Sequence, residues 1–375
     1  MAEVGILSMQ RIANYGSFLQ AYCLKQMLEE LGHRVQFVDY HVGAPLGMSR
    51  KEAALGWRRA SQKAAEIMAY DAPIYQRLQF LRFKKHFSKC YHPILGLTDA
   101  PNYTPKLDTL VIGSDEVFNC AQRNPNVGYS PELFGKNHGA RQLLTYAASF
   151  GNTTMQDLRQ YQKTEELSTF LQDFQALSVR DAHSAQLIRA LAGRETCFHL
   201  DPVLVYDLTG KCGQIPKIAP TEKYLLLYAY SGRISHREAC WISDYAHNHA
   251  LKIYTLGGIQ SCGDRFISCD PFSVPAWFRG AELVLTDTFH GTIFSTITQR
   301  PFVTLIRKSR QGSYGNEEKL RDLLMRLNLA DRGITEIERA KTIWEKPIDF
   351  TQTYQIIEQG RKSAYQYLME QIREP

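Results

Sequence analysis

Leu283-Val284-Leu285-Thr286-Asp287-Thr288-Phe289-His290-Gly291-Thr292 begins as an apolar, β-prone run and breaks off abruptly into polar residues. The apolar-periodic segment behind it, Ile293 to Thr298, reads as a helix, so the stretch is a strand, a short loop and a helix start. In an open α/β sheet ligands bind there, outside the carboxyl end of a strand. The unpaired N–H groups and partial positive charge of a helix N-terminus suit a phosphate or carboxylate. Gly291 lets the backbone come close because it has no Cβ. His290 can give or take a proton near neutral pH. Taken alone, such a histidine is read first as a helix cap or a gap filler; the rest of the chain shifts that balance.

Outward from this stretch, strands and helices alternate. Val4–Ser8, helix Ser17–Leu31 and Val35–Asp39 make one βαβ unit. Strands at Thr109–Ile112, Leu143–Ala147, Leu177–Val179 and Cys197–Leu200 follow, with helices over Met155–Leu171 and Ala182–Leu191. Thr209 to Thr221 holds two prolines and two glycines and reads as a linker. A second series then runs through strands Tyr224–Tyr228, Lys252–Thr255, Leu283–Thr286 and Phe302–Ile306, with helices at His236–His249 and Glu317–Leu327. The strands are continuous apolar runs, as in parallel sheets buried on both faces. This pattern predicts an α/β protein of two Rossmann-like domains facing a cleft. The first spans residues 1–208 and carries a basic helical insertion over 50–90. The second spans 209–375, and its amphipathic C-terminal helix, Thr353–Ile372, packs back across the body.

The 375 residues suffice for two domains with sizeable cores, and 44% hydrophobic with 22% charged residues is ordinary for a globular chain. No apolar run approaches the ~20 residues that span a bilayer. The start of the chain lacks the basic and apolar regions of a signal peptide. Eight cysteines occur without a C-x-x-C pair, which argues against zinc and predicts reduced thiols in a cytoplasmic protein. His247 and His249 do not share a helix face, so no metal site is expected. Of the net charge of +6, the stretch from Arg50 to Lys89 holds ten basic and three acidic residues, interleaved with Trp57, Tyr70 and Phe80. A solvated amphipathic insertion explains this first. The alternative is a surface for anionic headgroups or a phosphorylated acceptor, peripheral to the membrane face. Nucleic acid is not expected, because no recognition motif accompanies the charge.

Further polar clusters fall at strand ends. Asn14-Tyr15-Gly16-Ser17 precedes the first helix, with Ser17 as a capping candidate; it is not G-x-G-x-x-G, so a dinucleotide gets no support. Gly113-Ser114-Asp115-Glu116 places a carboxylate at a strand end, where capping would explain it about as well. Ser149 and Gly151 offer small residues for close backbone approach. Arg180, in Ser178-Val179-Arg180-Asp181, could clamp a carboxylate or phosphate with its planar fork, or simply open a helix beside Asp181. Asp201-Pro202 is a turn-forming pair.

Taken in order, these segments resemble the polysaccharide pyruvyl transferase family: Asn14-Tyr15-Gly16-Ser17-Phe18, Gly113-Ser114-Asp115-Glu116, Ala147-Ala148-Ser149-Phe150-Gly151, Ser178-Val179-Arg180-Asp181, Asp201-Pro202 and Thr286-Asp287-Thr288-Phe289-His290-Gly291. The family usually has Gln and Trp where Glu116 and Phe118 stand, and often an arginine where Thr288 stands. The resemblance implies a glycosyltransferase-B-like fold. It also implies transfer of a pyruvyl group from phosphoenolpyruvate, as co-substrate and without a cofactor, to two hydroxyls of a sugar, free or lipid-linked. His290 and Asp115 are the expected acid and base. The donor is expected on Arg180, Thr288, Phe289, Gly291, Thr292 and Arg307, with Arg307, Lys308 or Arg310 supplying the charge missing at Thr288. The acceptor is expected against Asn14, Tyr15, Gly16, Gly113, Ser114 and Ser149. Two rivals share the architecture: a nucleotide-sugar glycosyltransferase, with Glu317 or Glu318 on the ribose, and a non-catalytic member of a polysaccharide-biosynthesis complex.

Overall fold

The computed structural model describes residues 1–48, 59–211, 220, 222–308 and 317–373. Two six-stranded, wholly parallel sheets form its framework. The first contains β1 (Glu3–Leu7), β2 (Arg34–Phe37), β3 (Thr109–Asp115), β4 (Gln142–Ala148), β5 (Ser178–Val179) and β6 (Cys197–Phe198), in the order β2-β1-β3-β4-β5-β6. The second contains β7 (Tyr224–Tyr228), β8 (Lys252–Leu256), β9 (Arg265–Ile267), β10 (Leu283–Thr286), β11 (Phe302–Leu305) and β12 (Gly333–Ile334), in the order β12-β11-β10-β7-β8-β9. Central strands are mostly apolar because both faces are covered: all five residues of β7 are buried. Strand order reverses beside β1 in one sheet and beside β7 in the other, and a crevice opens beyond the carboxyl ends at each such point. The two crevices face one cleft.

The helices that shape the cleft and seam are α1 (Tyr15–Glu30), α2 (Arg59–Ala69), α3 (Ile74–Leu95), α4 (Met155–Gln160), α5 (Thr164–Gln172), α6 (Pro202–Val205), α7 (Phe289–Ile297), α8 (Glu317–Arg326) and α9 (Thr351–Gln371). The single helix expected over Met155–Leu171 is two, because Gln162 adopts a left-handed φ of 55° between α4 and α5. Strands β9 and β12 leave no signature in the sequence. They have three and two residues, too few for a periodic signal, and they form at sheet edges by pairing with β8 and β11.

The basic insertion is a strut between the domains rather than a free amphipathic arm. Phe80, Phe83 and Phe87 of α3 are buried, on the face that meets Tyr15 of the first domain and Phe266 of the second. Each buried phenylalanine contributes about 1.5–3 kcal/mol. At the start of α3, Tyr75 and Gln76 donate to the Asp264 and Gly263 carbonyls at 2.8 and 2.7 Å. Lys84 donates to the Ala13 carbonyl. Arg82, Lys85 and Lys89 are left on the exposed face. Arg50, Lys51, Trp57, Arg58 and Arg310, and the linker over 212–219, lie outside the described residues. Helix α9 does pack back: Tyr367 donates to the Thr145 carbonyl at 2.9 Å and Arg361 to the Val205 carbonyl at 2.6 Å. Among the described residues no helix is long and apolar enough to cross a membrane.

Candidate active site

The cleft has a volume of about 1010 Å³, and its walls carry Asp115, Arg180, Thr288, Phe289 and His290. Its second-domain wall is the turn from β10 into α7. The Thr288 hydroxyl accepts from the Gly291 amide at 2.9 Å and so caps the helix. Thr292 bonds the Thr288 carbonyl and the Thr304 hydroxyl, both interior. Gly291 is packed so tightly that a Cβ there would lie 2.0 Å from the Thr286 hydroxyl. Gly291 and Thr292 therefore build the turn and are not on the cleft wall, contrary to their expected donor-binding role. Phe289 and His290 occupy the first helical positions, whose amides no intrahelical acceptor can reach.

His290 stands at the seam between the domains. Its Nε2 lies 3.6 Å from Asp201 Oδ2, while the opposite edge of its ring rests on Gly16, where a Cβ would come within 2.3 Å of Nδ1. Asp201 is fully buried at the start of α6, and its other oxygen accepts from the Val203 amide. Burial alone would push the Asp201 carboxyl up, but the His290 imidazole, then Arg180 and the Val203 amide, hold it below the usual carboxylate range. Sequence reading marks Asp201 as a turn residue and as part of a family segment, without a role in the site.

Arg180 is the hub of the first-domain side. Its Nη1 donates to Asp201 and its Nη2 to Asp115, each at 3.2 Å, and the guanidinium lies 4.3 Å from the centre of the Phe289 ring. Burial would lower its pKa, yet Asp115, Asp201 and Glu116 together raise it. Both ends of the fork are thus engaged by protein carboxylates, an arrangement that holds Asp115 and Asp201 in place. Asp115 takes a left-handed φ of 82°, which aspartate tolerates better than most residues, and accepts from Ser17 at 3.0 Å.

The other expected acceptor residues divide. Asn14 reaches the cleft and also caps α1 through the Ser17 amide at 2.7 Å. Gly16 acts through its contact with His290. Tyr15 is buried and donates to the Cys269 carbonyl of the second domain at 3.0 Å. Ser114 bonds Gln20, Ser149 bonds the Gly151 amide, and Gly113 is pressed against the Tyr146 carbonyl, all behind the wall. Strand alternation and tight turns point these residues inward, which spacing in the sequence does not reveal.

Among the described residues, positive charge on the second-domain side comes from Arg233, Lys308 and Lys319. Arg307 is not on the wall; Glu238 holds it through bonds of 2.9 and 3.1 Å. Arg233 and Lys319 were missed by sequence reading. Arg233 follows β7, the strand beside β10, so the strand-end rule could have found it, whereas nothing in the sequence marks Lys319. Lys319 bridges the cleft to Glu116 of the first domain at 2.7 Å.

In overall fold the chain is similar to UDP-GlcNAc 2-epimerase of Methanocaldococcus jannaschii, solved with UDP-GlcNAc and UDP, at a TM-score of 0.50 and 10% identity over 98% of this chain and 99% of that one. It is equally similar to the glycotransferase of kitacinnamycin, with a TM-score of 0.50 and 10% identity over 99% of both chains. These likenesses show a two-domain glycosyltransferase-B-like architecture. No curated protein sequence matches the chain. The family model for polysaccharide pyruvyl transferase, however, matches residues 14–309, a span that includes the Asn14 cap, Asp115, Arg180 and His290. The chain belongs to the polysaccharide pyruvyl transferase family, a family of transferases.

Proposed function

We propose that the protein transfers the pyruvyl group of phosphoenolpyruvate to two hydroxyls of a sugar, forming a cyclic ketal and releasing phosphate. The observation that carries this reading is His290, backed by the buried Asp201 and set at a helix start between a cationic wall and the Asp115 carboxylate. In the first step Asp115 takes the proton of a sugar hydroxyl, whose oxygen bonds to C2 of the donor. His290 protonates the methylene carbon, which becomes the methyl group. The C2–O bond to phosphate then breaks and phosphate leaves. The second hydroxyl adds to C2 and gives its proton to His290, which restores the imidazolium, while the proton held by Asp115 leaves with the phosphate. One hydroxyl proton thus ends on the methyl group and the other on phosphate. Fixed positive groups lower the barrier because charge gathers on the departing phosphate.

The acceptor in this reading is a sugar of a polysaccharide or of its lipid-linked precursor. Exposed Arg82, Lys85 and Lys89 on α3 support contact with anionic headgroups, each worth about 1 kcal/mol near such a surface. Salt-reversible co-sedimentation with anionic vesicles, lost when all three become Glu, is the expected result; equal recovery with neutral vesicles counts against it.

The deciding assay incubates the enzyme with phosphoenolpyruvate and acceptor mixtures, and follows phosphate release and the mass gain of a pyruvate ketal. Glu317 and Glu318 also line the cleft, which keeps a nucleotide-sugar donor as the second reading. Turnover of a UDP-sugar in place of phosphoenolpyruvate would establish it.

A further inference from the structure

We propose that Arg233, assisted by Lys308 and Lys319, binds the phosphoryl group of the donor and so performs the task that an arginine at position 288 would perform. This rests on the transferase reading for the donor's identity, though not for its chemistry: the ligand class is a phosphoryl anion. Thr288 carries no charge, and its hydroxyl is occupied in capping α7. Arg180 has both terminal nitrogens on carboxylates. Among the described residues, the second-domain cations that line the same cleft as Thr288 and His290 are Arg233, Lys308 and Lys319, with Arg123 on the first-domain side.

The topology explains why Arg233 can serve. Strands β7 and β10 are parallel neighbours, with Tyr228 opposite Thr286, so the loop carrying Arg233 and the turn carrying Thr288 leave the same sheet end side by side. Behind Arg233 runs a chain of opposite charges. Glu238 grips Arg307 at both oxygens; Arg307 lies 3.9 Å and Arg233 3.6 Å from Oδ2 of the fully buried Asp287. This chain fixes the guanidinium from behind, while the Tyr230 ring supports its face at 4.6 Å. The side chain stays about a quarter exposed, at 26%, and lines the cleft. A fork so held can meet two phosphoryl oxygens, and the amides of Phe289 and His290 add donors. Lys319 can turn from Glu116 to the incoming anion.

The test is calorimetric titration of the full-length protein with phosphoenolpyruvate, inorganic phosphate and UDP. Losing charge-assisted bonds predicts affinity about tenfold to a hundredfold weaker in Arg233→Ala, for every phosphoryl probe the native protein binds. Thr288→Arg added to Arg233→Ala should recover most of that loss. Lys308→Ala, on an exposed side chain, should weaken binding less with folding intact. Unchanged affinity in Arg233→Ala, or no binding of any probe by the native protein, overturns the site. Arg233-dependent binding of phosphate or UDP without phosphoenolpyruvate binding upholds the site and sinks the donor reading. Tight phosphoenolpyruvate binding indifferent to Arg233 does the reverse.

Discussion

Replacing Gly16 by alanine tests whether the domain seam positions His290. The new methyl carbon would lie 2.3 Å from Nδ1, 2.5 Å from Cγ and 3.0 Å from Cβ of His290. Ordinary packing needs about 3.5 Å, so the imidazole must retreat by roughly 1 Å. It cannot do so freely, because Asp201 lies 3.6 Å beyond its other nitrogen and the Phe289 and Phe294 rings flank it. A displacement of that size at a reacting group costs about 10²-fold in rate. Overpacking costs about 1–3 kcal/mol. Alanine offsets part of this, since it is better than glycine in a helix by about 0.5–1 kcal/mol. The expected result is therefore a large loss of turnover, read as phosphate released from phosphoenolpyruvate, with a stability loss near 1 kcal/mol in urea unfolding. Adding His290→Ala should relieve the clash, so the stability effects of the two changes will not add. Gly16→Ala with native turnover, or strictly additive stabilities, would refute the seam argument.

Asp201→Asn removes the charge shared by Arg180 and His290 and should cost about 3 kcal/mol at pH 7, because Arg180 stays buried. Since the folded Asp201 carboxyl lies below its unfolded value, its contribution is complete above the unfolded pKa of about 3.9 and is lost as pH falls through the lower folded value. Acid titration of stability should therefore be shallower in Asp201→Asn than in the native protein below about pH 4, and identical slopes would contradict the assignment. Tyr367→Phe deletes the bond from α9 to the Thr145 carbonyl and should lower unfolding stability by about 1 kcal/mol or more; no change would show that α9 is held by packing alone.

Much of the framework was legible in the chain itself. Strand Tyr224–Tyr228 coincides with its apolar run, because a parallel strand buried on both faces writes its limits as uninterrupted hydrophobicity. The same logic put Asp115 and His290 at strand ends, where both line the cleft. What local pattern could not carry was direction and partnership. Gly113, Ser114, Ser149, Gly291 and Thr292 sit in the right loops yet point inward. In a turn one residue's rotation decides between wall and interior, and the packing behind it sets that rotation. The two-residue edge strand β12 exists only because β11 offers it a ladder. The pairing of Asp201 with His290, the grip of two carboxylates on Arg180 and the approach of Arg233 to Thr288 join groups far apart in sequence. Composition and periodicity record which face of an element is buried; which charges meet across a seam depends on how the two sheets are set against each other, and tertiary structure alone decides that.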